Sequence, residues 1–299
     1  MMPSKVVPLK EISRVELVSK GHNGCPGCGM CISLRQALKG LGKNTVLAIP
    51  AGCVPVVAGG PLPLAGLSVP TILCSFDATG AFIAGIEAAL DLKGRKKGVN
   101  VVGFAGDGGT ADIGIQALSG AFERRHDIIY ICYDNEAYMN TGIQRSGTTP
   151  YGAWTTTTPV GSLKHFKRES KKDMPRIVAA HNPRYVATAS IAFPGDFIGK
   201  IKRATELGGP SYIHVHSPCP VGWRFPPDKT IEIARLAVLT GMWRLFEIED
   251  GQYRLTLKVP KRKPVAEYLK LQGRFRHLTP ADIEEIQREV DKLWEAQPA

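Results

Sequence analysis

Three stretches of this sequence carry side chains whose types and spacing can do chemistry. GHNGCPGCGMC, residues 21–31, sets Cys25, Cys28 and Cys31 at intervals of two intervening residues among glycines. VVGFAGDGGTADIG places Gly106, Asp107 and Gly108 directly after a β-branched run and directly before a helical pattern. YDNEAYMNTG, residues 133–142, follows the next apolar run. Where cysteines stay reduced, a close-set group points to a metal site rather than to a disulfide framework. On spacing alone, Cys25, Cys28 and Cys31 look like three ligands of a ferredoxin-type run, but no nearby fourth cysteine followed by proline completes it. A zinc site and plain burial stay open beside that reading.

A ligand held at the GDG segment meets free backbone N–H groups and the positive end of a helix, which favours a diphosphate. Asp107 would repel a bare diphosphate, so a divalent cation belongs between them, because a hard cation takes carboxylate and phosphate oxygens together. Adjacent parallel strands end side by side, so Asn135 can offer its amide oxygen, and Ala137 its carbonyl, to the same cation. GDG with an asparagine at the end of the next strand is the pattern of thiamin diphosphate binding. GDG alone would read as a glycine turn with a capping aspartate.

These residues need a scaffold, and the sequence describes one. Residues 45–49, 100–104, 128–133, 185–189 and 212–215 read as short buried strands. Residues 78–92 have helical spacing with Ile83, Ile86, Ala89 and Leu90 on one face, and 113–124 and 196–207 are further helices. Continuous apolar strands alternating with helices imply an α/β fold: a doubly wound, mostly parallel sheet covered on both faces. LTPADIEEIQREVDKLWEAQ ends the chain as a helix, with Thr279 as cap, Pro280 in the first turn, and Ile283, Ile286, Val290 and Leu293 as its apolar stripe. The division expected is 1–220 as one α/β domain with an N-terminal arm, and 221–299 as a C-terminal helical extension that packs on the core or on a partner subunit. Cys74 and Cys132 belong in the core, as do His214 and His216 as satisfied histidines. His22 either tunes a neighbouring metal centre or forms a turn. The polar connection 151–158 covers a cofactor, contacts a partner, or lies on the surface.

The formal net charge is +11. Its basic residues are spread over loop tips such as Arg95, Lys96 and Lys97, over KHFKRESKK (164–172) and over KVPKRKP (258–264), with no nucleic-acid motif. These read as solvated surface, or as a place to dock an acidic partner or a phosphate-bearing substrate. No apolar run approaches the ~20 residues of a membrane span, and the first residues lack the apolar core of a signal peptide. The expected location is the cytoplasm.

The chain resembles the thiamin-diphosphate-binding β subunits of the 2-oxoacid:ferredoxin oxidoreductases, most closely the pyruvate or branched-chain type. The motifs that carry the resemblance are GHNGCPGCGMC, AIPAGCVPV, GFAGDGGTADIGIQALSGAFERRHDI, YDNEAYMNTGIQRSGTTPYGAWTTTTPVG, HSPCPVGW, DKTIEIARLAV and LKLQGRF, which span nearly the whole chain. The resemblance implies one [4Fe–4S] cluster near the thiamin ring, with Cys25, Cys28, Cys53 and Cys219 as ligands and Cys31 as the surplus thiol. It implies Mg2+ on Asp107, Asn135 and the Ala137 carbonyl, with Gly106, Gly108 and Thr141 also binding the cofactor. Asn140 takes the position that faces the substrate and can hydrogen-bond its carboxylate or developing oxyanion; by itself it would read as a turn residue. Relatives acting on 2-oxoglutarate are similar but carry methionine there, in YGMTGGQ, so Asn140 favours pyruvate or a branched-chain 2-oxo acid.

The activity implied is oxidative decarboxylation of a 2-oxo acid with coenzyme A, giving acyl-CoA, carbon dioxide and reduced ferredoxin, with a thiamin-bound intermediate oxidised one electron at a time by the cluster. Two absences follow. No glutamate of this chain matches the one that activates the aminopyrimidine, which the resemblance assigns to an α-type partner subunit. No Cys-x2-Cys-x2-Cys-x3-Cys-Pro pair is present either, so a ferredoxin-like subunit must relay electrons. The competing readings are an oxalate-using relative, a subunit of a non-redox thiamin-dependent decarboxylase or synthase, and a non-catalytic metal-binding scaffold.

Overall fold

The computed structural model describes residues 4–59, 66–161 and 166–295. The first three residues, Lys164 and His165 of the basic segment, and Ala296 and Gln297 of the expected terminal helix lie outside them. The strands are β1 (Thr45–Pro50), β2 (Thr71–Cys74), β3 (Asn100–Gly106), β4 (Ile129–Asp134), β5 (Tyr185–Ser190), β6 (Ser211–His216), β7 (Phe246–Glu249) and β8 (Gln252–Leu255). They form one sheet in the order β2-β1-β3-β4-β6-β5-β7-β8. The first six run parallel, whereas β7 is antiparallel to β5 and β8 to β7. Every residue of β4, β5 and β6 is buried, as expected of strands covered on both faces.

Helices α1 (Gly29–Leu41), α2 (Cys53–Ala58), α3 (Thr79–Leu92), α4 (Ile115–Glu123), α5 (Met174–Ala179) and α6 (Pro194–Leu207) supply that cover. On one face, Leu34 and Leu38 of α1 and Phe197 and Ile201 of α6 pack on Phe104 and Ile131. On the other, Ile83, Leu118, Phe122 and Val178 pack on Tyr130 and Val101. Each such side chain, fully buried, stabilises the fold by ~1.5–3 kcal/mol. A third core, built on Trp223, Ile233, Trp243, Tyr268 and Val290, joins α7 (Pro220–Trp223), α8 (Thr230–Leu239), α9 (Val265–Leu269) and α10 (Pro280–Glu295).

The structure departs from the sequence reading in four places, each for a local reason. α1 was hidden by the glycines and cysteines before it, although Met30, Leu34, Ala37, Leu38 and Leu41 are buried at helical spacing. In α3, Ile83, Ile86 and Leu90 face the core, but Ala84 is buried and Ala89 exposed; a helix apolar nearly all round gives periodicity little to choose from. In α10, Thr279 caps as expected, its Oγ1 accepting from Asp282 N at 3.3 Å. Leu293, however, is half exposed, and Trp294 packs instead, its indole N–H donating to the Gly241 carbonyl at 3.1 Å. The stretch from 221 onward is not wholly helical, because Asp250 and Gly251, both left-handed (φ 48° and 80°), turn β7 back into β8 and lengthen the sheet.

Four neighbouring strands place the chemistry. β1, β3, β4 and β6 run side by side in the same direction and end on one edge, and the β4–β6 register pairs Asp134 with His216. Asp107 follows β3 and Asn135 follows β4 immediately, while Cys53 and Cys219 come three residues beyond β1 and β6. Ligands in open α/β sheets bind outside these carboxyl ends.

Candidate active site

A cavity of about 320 Å³ opens at that edge. Its lining includes eight of the residues expected from sequence: Cys53, Gly106, Asp107, Gly108, Asn135, Ala137, Asn140 and Thr141. Phe76, Tyr133, Tyr138 and Met139 complete much of the wall. The glycines are there for space rather than for a turn. A Cβ on Gly106 would lie 3.1–3.2 Å from the Tyr133 ring, and one on Gly108 would lie 2.6 Å from the Tyr138 ring. Gly108 has ordinary helical angles, and the chain passes from β3 through a π turn, Gly109–Ile113, into α4. Single π turns of this kind often mark functional positions.

Asp107 is 1% exposed, and its partners are neutral. Oδ2 accepts from Ser146 Oγ at 2.5 Å and from Thr148 Oγ1 at 2.8 Å, and Oδ1 accepts from Asn135 N at 3.3 Å. Burial and then the charge of Asp134 push its carboxyl well above the usual range. Two acceptors, Asp107 Oδ1 and the Ala137 carbonyl, face the Asn135 amide. With its nitrogen turned to them it donates to both, at 3.0 and 2.9 Å. With its oxygen turned to them, three oxygens converge, the donor set of a hard cation. This buried carboxylate beside two neutral oxygens suits Mg2+ with a diphosphate.

Below the cavity lies an ionic layer that sequence reasoning missed. Asp134 Oδ2 pairs with Lys171 Nζ at 2.7 Å and with His214 Nε2 at 2.8 Å. Glu136 pairs with Lys171 at 2.9 Å and with Arg274 Nη2 at 2.6 Å. Burial raises both carboxyls, but Lys171 first, helped by His214 and Arg274 respectively, outweighs it and keeps them below their ordinary values. Of the three buried carboxylates at this edge, Asp107 is the one with no cationic side chain bonded to it among the described residues. Lys171, expected as part of a solvated basic loop, is therefore an inward-facing counter-ion. Ser146, Thr148 and Thr149 are also fully buried. Their one sequence signal was a run of small hydroxyls, SGTT, shortly after the asparagine motif.

His214 is a satisfied core histidine, with Tyr212 Oη 2.6 Å from Nδ1. His216 is half satisfied: Tyr268 Oη lies 3.4 Å from its Nε2, its Nδ1 has no partner among the described residues, and burial lowers its pKa to about 3. His22 Nδ1 accepts from Gly24 N at 3.1 Å, forming a turn. The 151–158 connection is tied to the C-terminal segment, with Trp154 N donating to the Arg274 carbonyl at 3.0 Å. Asn140 is exposed at the cavity rim with no hydrogen bond from its amide among the described residues, whereas Thr141 Oγ1 is engaged with Gln144 at 2.7 Å.

The cysteines gather at the Cys53 end of the cavity. Gly29 N donates to the Pro218 carbonyl at 3.1 Å, and a Cβ on Gly29 would lie 2.5 Å from that oxygen, so glycine lets the N-terminal arm dock beside Cys219. Burial, then the neighbouring Cys28, Cys219 and Cys25, and finally Asp107 raise the Cys53 thiol to about 12. Burial raises Cys219 to about 11, with Cys28 and Cys25 adding to it. Cys28, at the start of α1, is lowered to about 7 by a hydrogen bond from Cys31, which is buried. Cys25, Cys28, Cys31, Cys53 and Cys219 thus share one neighbourhood that reaches Asp107, and Cys31 is the buried one of the five. Cys74 and Cys132 lie in the core. Among the described residues no three His, Cys, Asp or Glu side chains are close enough to hold a single metal ion. A four-iron cluster binds each thiolate to a different iron and so suits sulfurs spread over a neighbourhood.

This is a thiamin-diphosphate type of α/β domain. Residues 65–215 match the family model described as thiamine pyrophosphate enzyme, C-terminal TPP binding domain. The chain is 56% identical over 283 residues to pyruvate synthase subunit PorB of Methanothermobacter thermautotrophicus, covering 95% of this chain and 98% of that protein. It is 54% identical to ketoisovalerate oxidoreductase subunit VorB of Pyrococcus furiosus, covering 92% of this chain and 90% of that one. A solved 2-oxoglutarate:ferredoxin oxidoreductase from Magnetococcus marinus shares the fold at 19% identity, with a TM-score of 0.58, over 96% of this chain and 98% of that one. The chain belongs to the β subunits of the 2-oxoacid:ferredoxin oxidoreductases. Among the described residues no helix is long and apolar enough to cross a membrane.

Proposed function

We propose that the cavity takes thiamin diphosphate through Mg2+ held by Asp107, Asn135 and the Ala137 carbonyl, and that Cys25, Cys28, Cys53 and Cys219 hold one [4Fe–4S] cluster beside it. The observation that carries this reading is Asp107, a buried carboxylate with only neutral hydrogen-bond donors, on the same cavity wall as Cys53. When bound, thiamin diphosphate supplies a carbanion for addition to a 2-oxo acid and a sink for the electrons released with carbon dioxide, and the cluster takes those electrons singly.

The chain's own residues do the rest. Asp107 and Asn135 anchor the cation, and Gly106, Gly108 and Thr141 border the cofactor. Asn140, with its amide free at the rim, hydrogen-bonds the substrate carboxylate or the developing oxyanion. Phe76, Tyr133 and Met139 keep water from the reacting carbon. Among the described residues Asp107 is the only acidic one in the lining, which supports an activating carboxylate from a partner subunit. Residues 1–220 then form the cofactor-bearing unit, and 221–299 an extension packed on it.

The reaction proposed is oxidation of pyruvate with coenzyme A to acetyl-CoA and carbon dioxide, with ferredoxin as electron acceptor, in a cytoplasmic assembly with α- and γ-type subunits and a ferredoxin-like subunit. The VorB relatives favour a branched-chain 2-oxo acid as the second reading. Anaerobic purification with the partner subunits, followed by iron, sulfide and thiamin diphosphate analysis, tests the cofactors. Coenzyme A-dependent ferredoxin reduction by pyruvate against 3-methyl-2-oxobutanoate then decides the substrate. Asp107→Ala should lose thiamin diphosphate and Mg2+ while keeping iron; retained cofactor would overturn the assignment of Asp107.

A further inference from the structure

Glu136 stands between Asn135 and Ala137, the two residues that share the acceptor corner with Asp107. Its φ is +64°, a left-handed conformation that a side chain other than glycine keeps only where its surroundings over-determine it. Four interactions do so here. Lys171 Nζ and Arg274 Nη2 take its two carboxylate oxygens at 2.9 and 2.6 Å. Its N–H donates to Asp134 Oδ1 at 2.9 Å, and its carbonyl accepts from Thr149 Oγ1 at 2.7 Å. Arg274 comes from the 3-10 turn Gly273–Phe275, after α9, and its guanidinium lies 3.7 Å over the Trp223 ring. The Trp223 indole N–H in turn donates to the Asn135 carbonyl at 2.7 Å. The C-terminal segment therefore grips the corner twice, at Asn135 through Trp223 and at Glu136 through Arg274.

Arg274 itself is 2% exposed and does not line the cavity. Buried ion pairs are poor sources of stability, since the desolvation of both charges offsets their attraction, so a specific geometry is the better account of this one. We infer that Arg274 is a positioning residue for the cation site: its pair with Glu136 holds the 135–137 corner in the turn that aims the Asn135 amide and the Ala137 carbonyl at Asp107. The inference rests on the cation reading above.

The test uses the chain co-produced with its partner subunits and freed of Mg2+ and thiamin diphosphate by a chelator. Thiamin diphosphate binding is then titrated over a range of Mg2+ concentrations. Arg274→Gln should need roughly 10–100-fold more Mg2+, the usual effect of losing a residue that orients metal ligands. Saturating Mg2+ should restore its thiamin diphosphate affinity, and its iron content should stay unchanged. Glu136→Gln, isosteric and chosen in case the arginine variant fails to fold, should show the same shift. The double variant should be no worse than Glu136→Gln alone, because that change already breaks the pair Arg274 makes, along with the one from Lys171. A wild-type Mg2+ requirement in folded Glu136→Gln or Arg274→Gln protein would overturn the inference and leave Arg274 as packing. Mg2+-independent binding by the unmutated chain would instead sink the cation reading beneath it.

Discussion

Thr148 offers a sharp test of how the site holds its charge. Its Oγ1 lies 2.8 Å from Asp107 Oδ2 and 2.9 Å from Asp134 Oδ1, and it has one proton for two carboxylates. Asp134 has Lys171, His214 and the Glu136 N–H as alternatives. Asp107 keeps only Ser146 Oγ and the Asn135 N–H, so the loss falls on Asp107. Thr148→Val replaces the hydroxyl with a methyl of similar size, leaving little cavity. A hydrogen bond to a charged group contributes about 1.5–3 kcal/mol, and a neutral one about 1. With Mg2+ and thiamin diphosphate bound, Asp107 is ionised, and the variant should lose about 2 kcal/mol in that state; set against the loss of about 1 kcal/mol without the cation, cofactor affinity should fall roughly five-fold. Without the cation, burial and Asp134 favour the protonated carboxyl, and the penalty on thermal stability should shrink toward the neutral figure. Calorimetric titration of thiamin diphosphate at fixed Mg2+, beside melting curves of the cofactor-free chain, measures both. Cofactor affinity within twofold of wild type would refute the claim that Asp107 carries the cation.

Other outcomes follow from the same geometry. His216 is neutral in the fold down to pH 3 or so, but takes a proton near pH 6.5 once unfolded, so acid favours the unfolded chain between those values. Denaturant unfolding should show about 2 kcal/mol less stability at pH 5 than at pH 7.5 from this group, and His216→Phe should reduce that loss; an undiminished loss would show that another group causes it. Cys219→Ser should damage the cluster and Cys31→Ser spare it, read as iron per chain; the reverse would favour the three thiols of the N-terminal run. Ile143 has φ +65°, a costly conformation for a β-branched residue. Asparagine tolerates that region, so Ile143→Asn should raise stability by up to about 1 kcal/mol in thermal melts, and a lower melting point would show that the Ile143 side chain contributes more than its backbone costs.

Much of the site was legible because its parts are local patterns. Uninterrupted apolar runs predicted central parallel strands, since only residues buried on both faces can all be apolar, and those runs end at Asp107 and Asn135. Type and spacing likewise pointed to a diphosphate with a cation. What the sequence could not show was which distant residues meet. Lys171 lies in a run of charges that reads as surface, and Arg274 sits far along the chain from Glu136, yet both turn inward, because a buried carboxylate must find a counter-ion wherever the chain can bring one. Cys31 has the spacing of a ligand, but it falls inside α1 and is buried, while Gly29 lets the arm dock against Pro218, next to Cys219. The glycines of GDG, expected beside a diphosphate, also leave room for the Tyr133 and Tyr138 rings. Sequence determines which segments become strands and which residues stand at their ends, because those depend on neighbours along the chain. The pairing of charges across the edge depends on how the sheet and the C-terminal segment pack, and only the tertiary structure decides that.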